Sequence, residues 1–548
     1  MDTLQGQDVL CDLARLIGQA SGHKTSRILV SGKLRAWLER QAAQTSYAPL
    51  CAAAGTALIK LRQGSTMDAA EVASPSEAED GLAMLRNLRG VLLQDNNDVA
   101  VADAVEGLAY LSRGTDVAET LSKDTPLLQA LFSKVPQKHS GSQPTTAPQA
   151  TLMFGIASII LNSVAYRPRL TGEQAQIEKI RRMANAGVAS SKLEEPELPP
   201  SSDDAHVKAR GERLLAAGAV DALARSVRMS ESKTLRLSVG RALLHLIENK
   251  DNRGRVLQSG GAKALLIIIA DLLPSGNQAP DNTALEPIQA LAKLAITSSP
   301  IQVFGASGSL LDAVRPFAVL LTHAESTYLQ IFESMMALTN LSSHGTEAAG
   351  RIAGQDQLLS RVEMLLLDDH TLTRRAATEL LCNLITNSEK VFKRYAGTDA
   401  SKTRLQVIVA LTDVDDVPTQ LAASGALAAI TMSFRACQVL ADLQLERHRV
   451  LPVLVSLIDP AQGDADAPQA AHPGLVHRVV LCVRNLFEGI QEPKLRKQIA
   501  QEGEDAGLVL ALVRVLKNAT SDTSLRPAME PTAEILRTLM ALGVAITT

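Results

Sequence analysis

The stretch RRAATELLCNLITNSEKVF, Arg374 to Phe392, decides the fold. Apolar residues fall at Ala377, Leu380, Leu381 and Leu384, the 3.6-residue spacing that buries one face of a helix. A second stripe, Arg375, Glu379 and Asn383, runs four residues apart along a neighbouring face. One helix therefore carries a packing face and a polar face side by side.

Working outward, helices of the same form recur as CAAAGTALIKL, DAVEGLAYL, ASIILNSV, GRALLHLI, IQALAKLA, FESMMALTNL, RRAATELLCNL, SGALAAIT and VLCVRNLF. Aligned, they place Lys60, Tyr110, Asn162, His245, Lys293, Asn340, Asn383, Ala429 and Asn485 in one column. The steps are 50, 52, 83, 48, 47, 43, 46 and 56 residues. Most lie near the period of armadillo and HEAT repeats. The spacing predicts an all-α fold, an armadillo/HEAT-like right-handed superhelical solenoid of stacked helical repeats. The 83-residue step must hold an insertion and the 56-residue step a longer loop. A shorter motif repeats as well: AAGAVDAL (Ala216 to Leu223) returns as SGGAKALL (Ser259 to Leu266), which aligns Gly218 with Gly261.

Composition agrees. The 548 residues are 46% hydrophobic but only 3% aromatic, as suits helices rather than sheets, which favour aromatic and β-branched residues. Segments rich in Pro, Ser, Gly and charge read as loops between repeats: GSTMDAAEVASPSEAED, KVPQKHSGSQPTTAPQA, ASSKLEEPELPPSSDD, LPSGNQAPDNTA and DPAQGDADAPQAAHPG. The chain divides into N-terminal armadillo-like repeats, 1–160, and a second repeat region, 161–548, with an inserted loop at about 186–205. A net charge of −3 offers no excess for phosphate backbones or anionic membranes, so neither nucleic acid nor membrane is an expected partner. Cys11, Cys51, Cys382, Cys437 and Cys482 are odd in number and far apart, which reads as buried thiols in a reducing compartment. With no signal-peptide pattern and apolar runs too short for a bilayer, the chain reads as cytoplasmic.

A residue that recurs once per repeat forms a ladder along the inner helices, about 10 Å per rung. Asn is a poor interior helix residue, yet it fills four of the nine rungs. Two accounts fit: its amide clamps the main chain of an extended peptide, or it bonds to the neighbouring repeat and seals the stack. Stepping back four and eight residues gives Met336 and Phe332 for Asn340, Glu379 and Arg375 for Asn383, and Leu481 and His477 for Asn485. These define a candidate groove wall of Phe332, Met336, Asn340, Arg375, Glu379, Asn383, His477 and Asn485. Against that stand ordinary core packing for Phe332 and Met336 and a solvated i,i+4 ion pair for Arg375 and Glu379.

At this point the residues resemble a known family. FESMMALTNLSS (Phe332 to Ser343), RVEMLLLDDHTLTRRAATELLCNLITNSEKVF (Arg361 to Phe392), VKARGERLLAAGAVDALARSV (Val207 to Val227) and NSVAYRPRLTGEQAQIEKIRRMANAG (Asn162 to Gly187) are similar to the UCS family of myosin chaperones. The resemblance implies a solenoid that binds the myosin motor domain in a groove and through a loop, and aids its folding. Here that loop falls at Ala186 to Asp204, with Lys192, Glu194, Glu195 and Glu197 as its charged contacts. Heat-shock protein 90 is an implied partner of members with a TPR domain. Residues 1–160 show no 34-residue TPR period, so the layout resembles the fungal branch, whose clients serve cytokinesis and endocytosis. Self-association is a further expectation.

Marks of an enzyme are missing. There is no G-x-x-x-x-G-K-[ST], no G-x-G-x-x-G after a strand, no H-E-x-x-H and no C-x-x-C. His472 and His477 find no third ligand in the sequence, and TDVDDVP (Thr412 to Pro418) lacks the Gly and Glu of an EF-hand. It reads as an acidic loop between helices. The expectation is a binding protein with no cofactor and no metal. The alternative is an armadillo-type adaptor or scaffold for linear motifs, but import adaptors of that kind pair groove Asn with Trp, and the only Trp is Trp37, outside the column.

Overall fold

The computed structural model describes residues 2–30, 32–43, 47–69, 75–94, 97–137, 145–167, 203–274, 280–305, 309–355, 357–396, 401–460 and 471–545, without the side chains of 2–5, 64–69, 75–78 and 309. The described residues are helices and turns, with no strand among them. They form two compact units, Met1–Thr297 and Ser298–Thr548.

The nine aligned segments lie on nine helices, and a tenth continues the series. In the first unit these are α1 (Ala48–Ala69), α2 (Asp98–Leu111), α3 (Ala147–Val164), α4 (Lys233–Glu248) and α5 (Leu285–Thr297). In the second they are α6 (Tyr328–Ser342), α7 (Thr371–Asn387), α8 (Val417–Ile430), α9 (Pro473–Gly489) and α10 (Arg526–Ala541). Within each unit every one of these column helices packs on the next, so each unit is a helical-repeat solenoid. In the first unit the stack runs through residue 160, because α3 packs on both α2 and α4. That helix is long and apolar enough to cross a membrane, longer than the apolar runs alone suggested, but half of it is buried among its neighbours.

Local signals explain the helix starts. Asn97 caps α2 by accepting from the amides of Val99 and Ala100, at 3.0 and 3.2 Å. Thr146 with Gln149 and Thr327 with Gln330 form reciprocal capping boxes at α3 and α6. The repeated glycine motif has a conformational cause: Gly218, Gly260 and Gly507 each sit just before a helix with φ of 97°, 84° and 83°, a region costly for any residue with a Cβ. The true equivalent of Gly218 is thus Gly260, not Gly261, which begins the helix itself.

Of the five loop segments, 189–204 and 459–474 lie mostly, and 134–150 and 273–284 partly, outside the described residues. The first is mostly helix: α1 runs to Ala69 and the next helix spans Pro75–Gln94. Its alanines and glutamates are good helix formers, and that outweighed the Ser and Pro that had suggested a loop. All five cysteines are unpaired, and all but Cys382 are fully buried.

Glycine sets how closely column helices approach. A Cβ on Gly240 of α4 would lie 2.7 Å from Cγ and 3.2 Å from Cβ of Pro287 on α5, and a proline ring cannot rotate away. Gly240→Ala is expected to destabilise the protein by roughly 1–3 kcal/mol, the cost of overpacking, despite alanine's better helix propensity. A lower urea midpoint with unchanged helicity checks this.

Candidate partner-binding face

The column helices bury most of their surface and leave one stripe open. On α7, Ala376, Ala377, Thr378, Leu380, Leu381 and Leu384 are buried, whereas Arg375, Glu379 and Asn383 are half-exposed. The same holds for Phe332, Met336 and Asn340 on α6, for Leu421, Gly425 and Ala429 on α8, and for His477, Leu481 and Asn485 on α9. The structure thus brings the groove residues of the second unit onto one accessible face of consecutive helices. Lys192, Glu194, Glu195 and Glu197 lie outside the described residues.

Three of the four column asparagines are committed on their donor side. Nδ2 of Asn383 donates to the carbonyl of Thr339 at 3.2 Å. Nδ2 of Asn485 donates to the carbonyl of Ala428 at 3.2 Å and to Oγ1 of Thr431 at 3.3 Å. In the first unit, Nδ2 of Asn162 donates to the carbonyl of Ala109 and to Oγ of Ser112, both at 3.0 Å. Each carbonyl belongs to the residue just before the column position of the preceding helix, near that helix's C-terminal end. Lysine does a similar job elsewhere in the column. Nζ of Lys60 pairs with Glu106 on α2 at 2.7 Å, and Nζ of Lys293 with Glu248 on α4 at 3.2 Å. For the amide donors, sealing of the stack is the observed role.

Arg375 does not pair with Glu379 as an exposed i,i+4 couple. Its Nη2 and Nε bond the two carboxylate oxygens of Asp416 at 2.5 and 3.1 Å. Asp416 also caps α8 by accepting from the amide of Thr419 at 3.1 Å. The guanidinium of Arg375 holds the Asp416 carboxyl down at about 2, against an ordinary 3.8. Glu379 makes no ion pair among the described residues, and burial raises its pKa. Across α8, the guanidinium of Arg478 donates to the carbonyl of Leu421. Gly425 leaves it room, since a Cβ there would lie 3.3 Å from Nη1 of Arg478 and 3.2 Å from Sγ of Cys382. Gly425 and Arg478 were not singled out from sequence. Stepping back four residues from the Ala429 rung would have found the glycine.

No group of three or more potential metal ligands occurs among the described residues, and His472 spends Nδ1 on the amide of Gly474 at 3.2 Å. What this face offers is binding surface: apolar side chains, one available carboxylate and a trough floored by a glycine. The class is a helical-repeat solenoid protein. No family model matches the chain. It is similar to Protein unc-45 homolog B of Mus musculus, 31% identical over 340 residues, 61% of this chain and 33% of that protein. It is also similar to Ring assembly protein 3 of Schizosaccharomyces pombe, 27% identical over 60% of this chain and 41% of that protein. Among solved structures, UNC-45 from Drosophila melanogaster matches with TM-score 0.72 and 25% identity over 96% of this chain and 60% of that one. The myosin chaperone UNC-45 from C. elegans, solved with an Hsp90 peptide, shares the fold with TM-score 0.65 and 21% identity, over 94% of this chain and 52% of that one. The chain is a homologue of the UNC-45 and ring-assembly proteins, the kinship that its UCS-like stretches indicated. The match spans about a third of the length of the first of these relatives.

Two outcomes follow from the geometry. Asn383→Asp loses the bond to the carbonyl of Thr339 and sets a half-buried carboxylate against that oxygen, and should lower stability by about 1–3 kcal/mol, read from urea unfolding. Because the Asp416 carboxyl is depressed in the folded state, its stabilisation is present above an ordinary pKa of 3.8 and is lost as pH falls toward about 2. Arg375→Met should therefore be destabilising at neutral pH, with the gap from the parent closing between pH 4 and 2 in acid-unfolding curves.

Proposed function

We propose that this chain is a myosin-directed chaperone that acts through binding energy alone and is not an enzyme. The single observation that carries the reading is the chain's homology to UNC-45 and ring-assembly proteins, on a fold that leaves the column stripe open to a partner. The stripe receives a partly folded segment of the myosin motor domain. Phe332 and Met336 supply apolar contact, Met being adaptable at such surfaces. Glu379 supplies charge, and Asn340, Asn383, His477 and Asn485 line the same face, with Arg375 fixing the start of α8 beside it. The loop with Lys192, Glu194, Glu195 and Glu197 forms a second contact. Holding the segment suppresses its aggregation, and release follows when the client buries that segment in its own fold.

On this reading residues 161–548 carry client binding and 1–160 extend the repeat array. The setting is the cytoplasm. Heat-shock protein 90 acts beside it, a role supported by the related C. elegans structure solved with an Hsp90 peptide.

Light scattering of a purified myosin motor domain during heating tests this. The parent should suppress aggregation. The double variant Phe332→Asp with Met336→Asp should weaken motor binding by about 2 kcal/mol or more, as for apolar anchors central to an interface, with helicity and urea midpoint held as controls. No protection by the parent overturns the chaperone reading, and equal protection by the variant removes these two residues from the site.

A further inference from the structure

The TDVDDVP segment (Thr412 to Pro418) does more than connect helices. In the second unit it lines the same cavity as LLLDDHTL (Leu365 to Leu372), a notch of about 620 Å³ at the starts of α7 and α8, a size common among ligand sites. Five aspartates border it: Asp368, Asp369, Asp413, Asp415 and Asp416. Three of them are engaged within the chain. Asp416 holds Arg375 and caps α8, and Asp413 takes Nη2 of Arg449 at 2.6 Å. Asp368 accepts from the amide of His370 at 2.8 Å, while its carbonyl takes Nη1 of Arg374 at 2.9 Å. Asp369 and Asp415 are exposed, and their carboxylates make no ion pair or hydrogen bond among the described residues. Even with these three arginines set against the five aspartates, an excess of two negative charges remains.

Apolar side chains share this edge with the acids. Leu366, Val407 and Leu411 wall the notch. Leu367 stands at its border with 68% of its surface exposed, and Leu372 and Val417, in the first turns of α7 and α8, are exposed as well. Aliphatic exposure gathered at a cavity marks a contact surface rather than scattered apolar residues. At the start of the neighbouring α6, the exposed Tyr328 stacks on His370, ring centroids 6.2 Å apart. An open aromatic face attracts a cation in its own right. It therefore points, independently of the acids, to the same charge on a ligand.

We infer that this edge is a second binding site, one that takes a basic, aliphatic linear segment of a partner protein. Lysine or arginine side chains of the segment meet Asp369, Asp415 and Tyr328, and its aliphatic side chains enter the notch. A small polycation would satisfy the carboxylates but leave Leu367, Leu372 and Val417 uncovered. An uncharged apolar segment would cover those three and desolvate two unpaired carboxylates, which is costly. A segment that carries both kinds of side chain answers both demands, and charge complementarity guides its approach and sets its register. The starts of α6, α7 and α8 span about 20 Å, which about six extended residues cover. Phe332, Met336, Glu379 and Asn383 are not among the residues that line the notch, so the site needs no client in the column stripe.

Fluorescence anisotropy of labelled peptides titrated with the full chain tests this. The probes are short synthetic peptides of arginine, leucine and serine in which the arginine–leucine spacing is varied. Two control sets carry glutamate for every arginine or serine for every leucine. At least one spacing should bind saturably and more weakly as salt is added, and both control sets should bind at least ~tenfold more weakly. Asp369→Lys with Asp415→Lys should weaken the best peptide at least ~tenfold, and Leu367→Ser should weaken it too. Phe332→Asp with Met336→Asp should leave it unchanged. No saturable binding at any spacing, equal binding by either control set, indifference to the notch substitutions, or loss in the Phe332 and Met336 variant would each overturn the inference. The probes contain no myosin sequence, so their failure is separate from failure of the chaperone reading. Asp369, Asp415 and Leu367 are exposed and cap no helix, and unchanged helicity and urea midpoint verify the fold of each variant.

Discussion

The structure depends on how closely each column helix lies on the one before it. A helix in such a stack has no other large core to join, so its stability comes from the two faces it shares with its neighbours. Small residues set the approach, as Gly240 does against Pro287. Dispersion and apolar burial supply the attraction, but they are indifferent to sliding. A polar tie at one position of the helix is not. The bonds from Asn162, Asn383 and Asn485 to the preceding helix, with the Lys60 and Lys293 ion pairs, fix register at five of the steps, each through the column residue. Local contacts of this kind also let the units assemble from short-range pairings.

This accounts for asparagine in a helix interior. Its propensity cost is under 1 kcal/mol, about the net worth of one buried hydrogen bond. What the asparagine adds is position, because its amide reaches one carbonyl and no other. Where lysine holds the column, the carboxylate partner must be supplied by the neighbouring helix, and Glu106 and Glu248 supply it.

Much of the fold was legible in the sequence because a repeat states the same packing problem many times. The period located nine of the ten column helices, and the stripe at four-residue spacing located the accessible face of α6 to α9. What escaped were partners distant in sequence. Arg375 has an acceptor four residues away, and periodicity alone pairs it with Glu379. Its actual partner, Asp416, lies 41 residues on, in a segment whose three aspartates read as a solvated loop. One of them is a helix cap gripped by an arginine. The Gly260 elbow was displaced by one residue because two adjacent glycines offer no sequence cue to which one takes positive φ. The stretch 64–80 was misread because Ser and Pro at its middle hid the helix-forming residues at either end.

The ties also decide where a partner can be met. The asparagine ties sit near the C-terminal ends of α3, α7 and α9, and on α7 the Arg375 bridge occupies the other end. Between them, one residue per helix stays uncommitted: Met336, Glu379, Gly425 and Leu481 on four consecutive helices. That row runs apolar, acidic, open, apolar. Arg375 on one side of it and Asn383 and Asn485 on the other are tied to neighbouring repeats, and the row repeats at about 10 Å per helix. An extended segment spans about 3.3 Å per residue, so every third residue of a client lying across the helices meets one of these positions. A surface that reads side chains at that interval, against a frame that does not give, pays little ordering entropy when it binds. On the proposed reading such a row suits the holding of a chain that has not yet folded, because the order is already in the receiver.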